Sequence, residues 1–335
     1  MPIKAYAALE QGAPLEPFEY EPEPLGERDV EIAVTHCGLC HSDYSMVHNE
    51  WGVSSYPLVP GHEAVGEVVA AGSAATLKVG TRVGVGWQSG SCGACEWCRT
   101  GEEQLCLSQK GTIVHGAGGW AEALRVDERF AVPIPDGMAS EDAGPLMCGG
   151  ITVFSPLMEF NIRPTSHVAV LGVGGLGHMA IQFASAMGCE VTALSSTADK
   201  EAEARAMGAH HFVATKEEGA LKVCRGRFDM VLSTVSAPLN WRHYIATLRP
   251  TGNLCFVGQP GANAEIAPGS LVNGRRSVSG SPIGSPMALQ RMLAFAARNG
   301  VKPTREDYPL SAVNDVLARM HENKIRYRAV FDVAK

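Results

Sequence analysis

Four cysteines crowd one short stretch, Cys92-Gly93-Ala94-Cys95-Glu96-Trp97-Cys98 followed by Cys106. CxxC spacing puts two sulfurs on one side of an ion, and a tetrahedral zinc takes four such thiolates at about 2.3 Å. Four ligands leave no open position, so Cys92, Cys95, Cys98 and Cys106 read as a structural zinc site. The alternative is a cluster of reduced thiols, which would oxidise readily if exposed. A second set is dispersed: Cys40-His41-Ser42-Asp43, Gly61-His62-Glu63 and Cys148. Two Cys and one His leave a fourth position for water or substrate, the pattern of a catalytic zinc. Spacing alone does not make the three converge, and a lone His in a glycine turn is more often structural. Cys37 lies close to Cys40. Cys189, Cys224 and Cys255 sit in apolar runs, where cysteine is commonly a small buried hydrophobe.

A third pattern is Gly172-Val173-Gly174-Gly175-Leu176-Gly177. Between a buried strand and a helix, GxGxxG is a dinucleotide fingerprint: the glycines allow a tight turn and close approach to a pyrophosphate, which the helix N-terminus then favours. In any other context it is a flexible glycine loop. Enzymes that bind NAD usually end the next strand with Asp or Glu for the ribose 2′-hydroxyl. Here that place holds Ser195-Ser196-Thr197, with Lys200 just beyond. Small hydroxyls and a cation suit a 2′-phosphate, so NADP(H) is expected over NAD(H). The same hydroxyls could instead cap the following helix, as could Asp199.

The elements that must carry these residues follow from the hydropathy pattern. Up to about residue 150, short β-branched runs such as Val30–Val34 and Glu67–Val69 alternate with turn residues, which predicts a β-rich domain. From about 165 to 260, strand-like and helix-like pieces alternate, which predicts a parallel α/β sheet. Strands are expected at 167–171, 190–194, 228–232 and 253–257, helices at 179–187 and 199–207, and a last strand at 331–333. The expected fold class is α/β: a β-rich domain up to about residue 150, followed by a Rossmann doubly wound parallel sheet. The active site is expected in the cleft between them.

The 335 residues leave room for about two domains. With 45% hydrophobic and 19% charged residues the chain reads as globular, and its net charge of −7 speaks against a nucleic-acid partner. The N-terminus lacks the apolar core of a signal peptide, and the apolar run 167–188 is broken by glycines and polar residues. A cytosolic protein without membrane contact is expected.

Taken together, these stretches resemble the zinc-containing medium-chain dehydrogenases/reductases, and within them the cinnamyl alcohol dehydrogenase-like aldehyde reductases. The resemblance runs along essentially the whole chain. It is carried by residues 37–43, 56–63, the four-cysteine block, Cys148-Gly149-Gly150-Ile151-Thr152, the glycine turn, 279–285 and Arg326-Tyr327-Arg328. It implies a GroES-like β-rich catalytic domain from 1–150 and 286–335 with the Rossmann domain inserted at 151–285, and an NADP(H)-dependent zinc enzyme that interconverts a primary alcohol and an aldehyde, aromatic or medium-chain, and that forms a homodimer. Cys40, His62 and Cys148 would hold catalytic zinc, with Glu63 beside it. Asp43 would orient His62, and Ser42 would pass the proton between alkoxide and solvent. His41 and Arg328 would meet the cofactor pyrophosphate. Thr152 would lie against the nicotinamide, with Ser281 and Ile283 on its other side. Trp51, Trp87, Trp120 and Ile283 would line the substrate pocket, although tryptophan is also commonly core.

Two departures stand out. Related enzymes often carry a His three residues after the relay hydroxyl; here that residue is Ser45, with His48 one turn on. The segment 109–119 is short, which suggests a wider pocket. Other readings are a zinc-free reductase of the same superfamily, an NAD-linked alcohol oxidiser and a non-catalytic NADPH-binding protein. The metal-type residues argue against the first and third, and residues 195–200 against the second.

Overall fold

The computed structural model describes residues 1–259 and 263–334. The chain divides into two compact units, Met1–Ile151 with Ile283–Lys335, and Thr152–Pro282.

The first unit is built on a seven-stranded sheet. Its strands run in the order Arg305–Pro309, Arg328–Asp332, Asp29–Leu39, Ala64–Ala71, Arg82–Val85 and Val132–Pro133, with Ala123–Asp127 pairing the first half of Asp29–Leu39. All pairings are antiparallel except Arg305–Pro309 with Arg328–Asp332. In Asp29–Leu39, Val30, Ile32 and Val34 alternate inward, the period of a half-buried strand. They join a core with Leu124, Val126, Trp120 and Phe331. Two helices from the end of the chain belong to this unit. Pro286–Asn299 starts on Ser285, whose hydroxyl accepts the Ala288 N–H at 3.2 Å, and ends at Gly300 with φ of 68°. It buries Leu289, Met292, Leu293 and Ala296, the i, i+3, i+4, i+7 stripe of an amphipathic helix. Val313–His321 adds Val313, Val316 and Leu317 to the core.

The second unit is a six-stranded, wholly parallel sheet. Its order is His211–Ala214, Glu190–Ser195, His167–Leu171, Phe228–Ser233, Leu248–Phe256, Ser277–Gly280. Numbered along the chain this is 3-2-1-4-5-6, the order of a dinucleotide-binding doubly wound sheet. The strands are nearly continuous apolar runs, as parallel strands covered on both faces must be. Order reverses between His167–Leu171 and Phe228–Ser233, so a crevice is expected at their carboxyl ends. No helix among the described residues is long and apolar enough to cross a membrane.

Candidate active site

The strand Asp29–Leu39 runs directly into the helix His41–Val47, and Cys40 is the residue between them. Asp43, three residues into the helix turn, reaches back: its Oδ2 accepts the Cys40 N–H at 3.0 Å. Its Oδ1 accepts the Gly61 N–H at 2.9 Å and the His62 Nδ1–H at 2.8 Å. A single buried carboxylate therefore ties the helix start to the turn that carries His62. That turn demands glycine: Gly61 has φ of 99°, and a Cβ there would lie 2.6 Å from the Trp120 backbone nitrogen. Cys148 arrives from a π-helical turn, Leu146–Gly150, inserted between the helices Ser140–Pro145 and Ile151–Glu159. Such bulges recur at functional sites.

These elements bring together Cys40, His62, Glu63 and Cys148, whose ligand atoms all lie within 4.8 Å of one another. His62, Glu63 and Cys148 are buried, and Cys40 half-buried. With Nδ1–H given to Asp43, the His62 Nε2 lone pair is left facing the cluster, and among the described residues this buried nitrogen has no hydrogen-bond partner. Glu63 Oε2 is likewise buried without a partner, while Oε1 accepts from Arg328 Nη2. Two thiols, an imidazole nitrogen and a carboxylate oxygen around one point fit zinc by donor type, and the Asp43–His62 bond is the support that zinc-binding histidines need.

The electrostatics agree. A hydrogen bond from the Cys148 thiol is the largest cause holding Cys40 well below the usual thiol range, and Cys148 is correspondingly raised. Burial opposes the charged form of His62, but Asp43 and Cys40 outweigh it and raise its affinity for a proton. Groups that attract a proton here attract a cation, which displaces that proton on binding. Burial pushes the Glu63 carboxyl up to about 7, against the pull of Arg328.

Around this cluster, the Ser42 hydroxyl sits 3.7 Å from Cys40 Sγ. His41 is exposed at the helix start. Trp87 stands edge-on to His62, with ring centroids 5.1 Å apart, and Trp51 packs edge-on to Trp87 at 5.7 Å. Trp120 is not on such a wall. It is fully buried and packs edge-on against Phe331 at 5.3 Å, held there by its backbone, which donates to the Pro60 carbonyl and accepts the Tyr6 N–H. Ile283 lies with Trp87, Met147, Ile151 and Leu289 around a small cavity. Arg328 is 5% exposed, and its Nη2 is held by Glu63 and the Leu39 carbonyl. That pairing spans 265 residues and has no local sequence signal. Ser45 donates to Glu50 Oε2 at 2.6 Å, and His48 stacks on Tyr44 at 4.0 Å. Cys37, next to the cluster in sequence, is buried outside the ligand set.

Cys92, Cys95, Cys98 and Cys106 also converge within 4.8 Å. They lie on the loop before the short helix Glu96–Thr100, on that helix, and after the turn Glu103–Leu105. The Cys95 N–H donates to Cys92 Sγ at 3.3 Å, and the backbone N–H groups of Ala94 and Cys95 hold the Cys92 thiol down to about 6. Amides aimed at sulfur favour thiolates, the form that binds zinc.

In the second unit, the strand His167–Leu171 turns at Gly172, whose φ is 94°, into the helix Gly177–Ala186. A Cβ on Gly177 would sit 1.8 Å from the Gly172 carbonyl oxygen, so the helix packs on the turn only as glycine. Gly174 has nothing within 4 Å of its Cβ position, which leaves the space over the turn open for phosphate. Thr234, unforeseen from sequence, closes the switch point by donating to the Leu171 carbonyl at 3.0 Å. Ser195 ends its strand, buried, and Ser196 and Thr197 are exposed. Thr197 bonds Asp199, and Lys200 Nζ donates to the Val173 carbonyl at 2.8 Å, beside the glycine turn. Open space, a helix N-terminus, hydroxyls and an ammonium fit a phosphorylated dinucleotide. Thr152 is buried near the start of Ile151–Glu159, and buried Ser281 donates to Glu159 at 3.2 Å.

Known proteins carry the same framework. Residues 26–136 match the alcohol dehydrogenase GroES-like domain, and residues 175–298 match the zinc-binding dehydrogenase domain. The aldehyde reductase AdhA of Synechocystis sp. is 47% identical over 99% of both chains. The cinnamyl alcohol dehydrogenase SbCAD4 from Sorghum bicolor superposes with a TM-score of 0.94 at 36% identity, over 100% of this chain and 98% of its own. A Helicobacter pylori cinnamyl alcohol dehydrogenase complexed with NADP(H) gives 0.93 at 29%, over 100% and 99%. The chain therefore belongs to the zinc-containing medium-chain alcohol dehydrogenases, in the branch of the cinnamyl alcohol dehydrogenase-like aldehyde reductases.

Proposed function

We propose that this chain is a zinc-dependent alcohol dehydrogenase and aldehyde reductase that moves a hydride between NADP(H) and an aromatic or medium-chain primary alcohol or aldehyde. The observation that carries the reading is the buried His62 Nε2, without a partner among the described residues and held by Asp43 within one cluster with Cys40 and Cys148. When bound, zinc supplies Lewis-acid polarisation of the carbonyl and the nicotinamide supplies the hydride. The chain does the rest. Asp43 fixes the His62 tautomer so that Nε2 remains a donor to metal. Arg328 favours the charged form of Glu63 and offsets part of what burial costs it. The Ser42 hydroxyl, beside Cys40, delivers a proton to the product oxygen on reduction and takes it on oxidation. Trp87 and Trp51 offer aromatic edges on the substrate side of His62. In the second unit, the glycine turn takes the pyrophosphate, and Ser195, Ser196, Thr197 and Lys200 take the 2′-phosphate. The relative from H. pylori, named as an NADP(H) complex, supports that preference.

Ten free cysteines, two sets of them arranged as metal ligands, favour a reducing cytosol. We take the active form as a homodimer. The test is the initial rate of cinnamaldehyde reduction with NADPH and, in parallel, NADH, on protein with measured zinc content. Turnover with NADPH preferred is expected. Turnover with NADH preferred would overturn the 2′-phosphate assignment alone. No turnover with either in a zinc-replete sample would overturn the enzymatic reading.

A further inference from the structure

Resting on the NADP(H) reading, we infer that Lys216 is a second cation of the 2′-phosphate site, supplied by the neighbouring strand. Ribose is recognised at the end of the second strand of such a sheet, here Glu190–Ser195. The strand next to it, His211–Ala214, runs parallel and in register, Ser195 beside Ala214. The pairing continues past both strand ends: the Thr215 N–H donates to the Ser195 carbonyl at 2.7 Å and the Lys216 N–H to the Ser196 carbonyl at 3.3 Å. The backbone of Lys216 is thereby fixed alongside Ser196, about one strand spacing away, roughly 4.8 Å.

The side chains divide the work. Thr215 is half-buried and lies beside the Tyr244 hydroxyl. Lys216 is exposed, and its ammonium has no partner among the described residues. Its flexible four-carbon stem spans the distance to a group bound over Ser195–Thr197. Lys200 approaches the same place from the glycine-turn side, where its Nζ already rests on Val173. A dianion bound over the serines would thus lie between two ammoniums from two different elements. Three acids lie close by in sequence: Asp199, bonded by Thr197, and Glu217 and Glu218, exposed in the turn that follows. Water and salt screen exposed charges, so these acids reduce the pull of the two ammoniums on a phosphate without removing it. A clamp of this kind discriminates against NADH without touching hydride transfer. It binds a group the reacting ring does not share, so its loss affects binding and leaves the chemical step alone.

The test is calorimetric titration of the intact enzyme with 2′,5′-ADP and with 5′-AMP, which differ in the phosphate concerned. Lys216→Ala should weaken 2′,5′-ADP on the order of fivefold, what one exposed charge contact gives, and leave 5′-AMP unchanged. The loss should shrink at high salt. The KM for NADPH should rise by the same factor with kcat and the KM for NADH unchanged. Lys200→Ala should act in the same sense. Arg163→Ala, an exposed cation before the opposite end of the sheet, should do neither. If the wild type binds both nucleotides equally, the NADP(H) reading falls and this inference with it. If the wild type discriminates and Lys200→Ala abolishes this while Lys216→Ala does not, Lys216 has no such role. Equal weakening of both nucleotides by Lys216→Ala would also overturn it, as a general structural effect.

Discussion

Replacing Asp43 with Asn keeps the shape of the side chain and removes one property, acceptance at both oxygens. In the native site three donors converge on this carboxylate: Cys40 N–H, Gly61 N–H and His62 Nδ1–H, at 3.0, 2.9 and 2.8 Å. An amide has one oxygen, so one end must present NH₂ to a donor. If NH₂ faces Cys40, the start of the helix loses its tie and a buried N–H is left unpaired, which costs about 1–3 kcal/mol. If it faces His62, the imidazole must accept at Nδ1, the proton moves to Nε2, and the lone pair that the zinc requires is gone. Either orientation lowers zinc affinity. Loss of a supporting partner of this kind typically costs 10- to 100-fold, about 1.4–2.7 kcal/mol. The assay is chelator competition monitored by metal analysis, with the four-cysteine site counted separately as an internal reference. One zinc per chain should become labile in Asp43→Asn and the other should not. Unchanged affinity at both sites would refute the role of Asp43.

Gly177→Ala should destabilise the nucleotide-binding unit by several kcal/mol, because a Cβ at 1.8 Å from the Gly172 oxygen forces the helix off the turn. Thermal unfolding reads this, and adding NADPH should recover little of it. Trp120→Ala should cost about 3–5 kcal/mol as a core cavity, with KM unaffected in the fraction that folds. A selective change in KM would return Trp120 to the pocket. Glu128 is a buried carboxylate whose Oε2 accepts from Thr76 N, Thr76 Oγ1 and Leu77 N at 2.6–3.0 Å. Burial alone would raise it, but these donors, with Arg28, hold it below the usual carboxylate range. Its contribution is therefore complete above the unfolded value of about 4.3 and is lost as pH falls through the lower folded value. Glu128→Gln should lower stability at pH 7 by about 1–3 kcal/mol, and the gap from wild type should close in acid. A pH-independent gap would contradict this.

The parts of the site that were legible in the sequence are those whose signal is local. Cys92, Cys95, Cys98 and Cys106 announce themselves by spacing, and the glycine turn by its place between a buried strand and a helix. Cys40, His62 and Cys148 lie far apart along the chain, and only resemblance to a family joined them. Contacts across the sheet left no trace. Arg328 with Glu63, and Lys216 beside Ser196, are products of strand register, which is set by the whole hydrophobic face and not by any short motif. Trp120 was misplaced because an aromatic next to glycines looks the same whether it faces a pocket or a core. In the nucleotide-binding unit the strand His211–Ala214 escaped notice, being four residues long with only Ala214 buried. After residue 285 the sequence reads only as mixed helix and strand, yet it forms the helices Pro286–Asn299 and Val313–His321, the first of them marked by the Ser285 cap and Gly300.

Asp43 and Arg328 also bear on how the two zincs come and go. The catalytic ligands are fixed by groups other than metal: a buried carboxylate with three donors, a buried guanidinium and continuous strand and helix on either side. The four cysteines, by contrast, ride on an excursion between Cys92, which is exposed, and Cys106, which is buried, whose helix has five residues and buries none. Exchange at the first site is thus a local event on a preformed frame, and a foreign divalent ion can replace zinc there while the fold stands. Exchange at the second requires the excursion itself to open. Isotopically labelled zinc added to the intact protein should enter with two lifetimes, and denaturant well below the unfolding midpoint should shorten only the one belonging to the cysteine lobe.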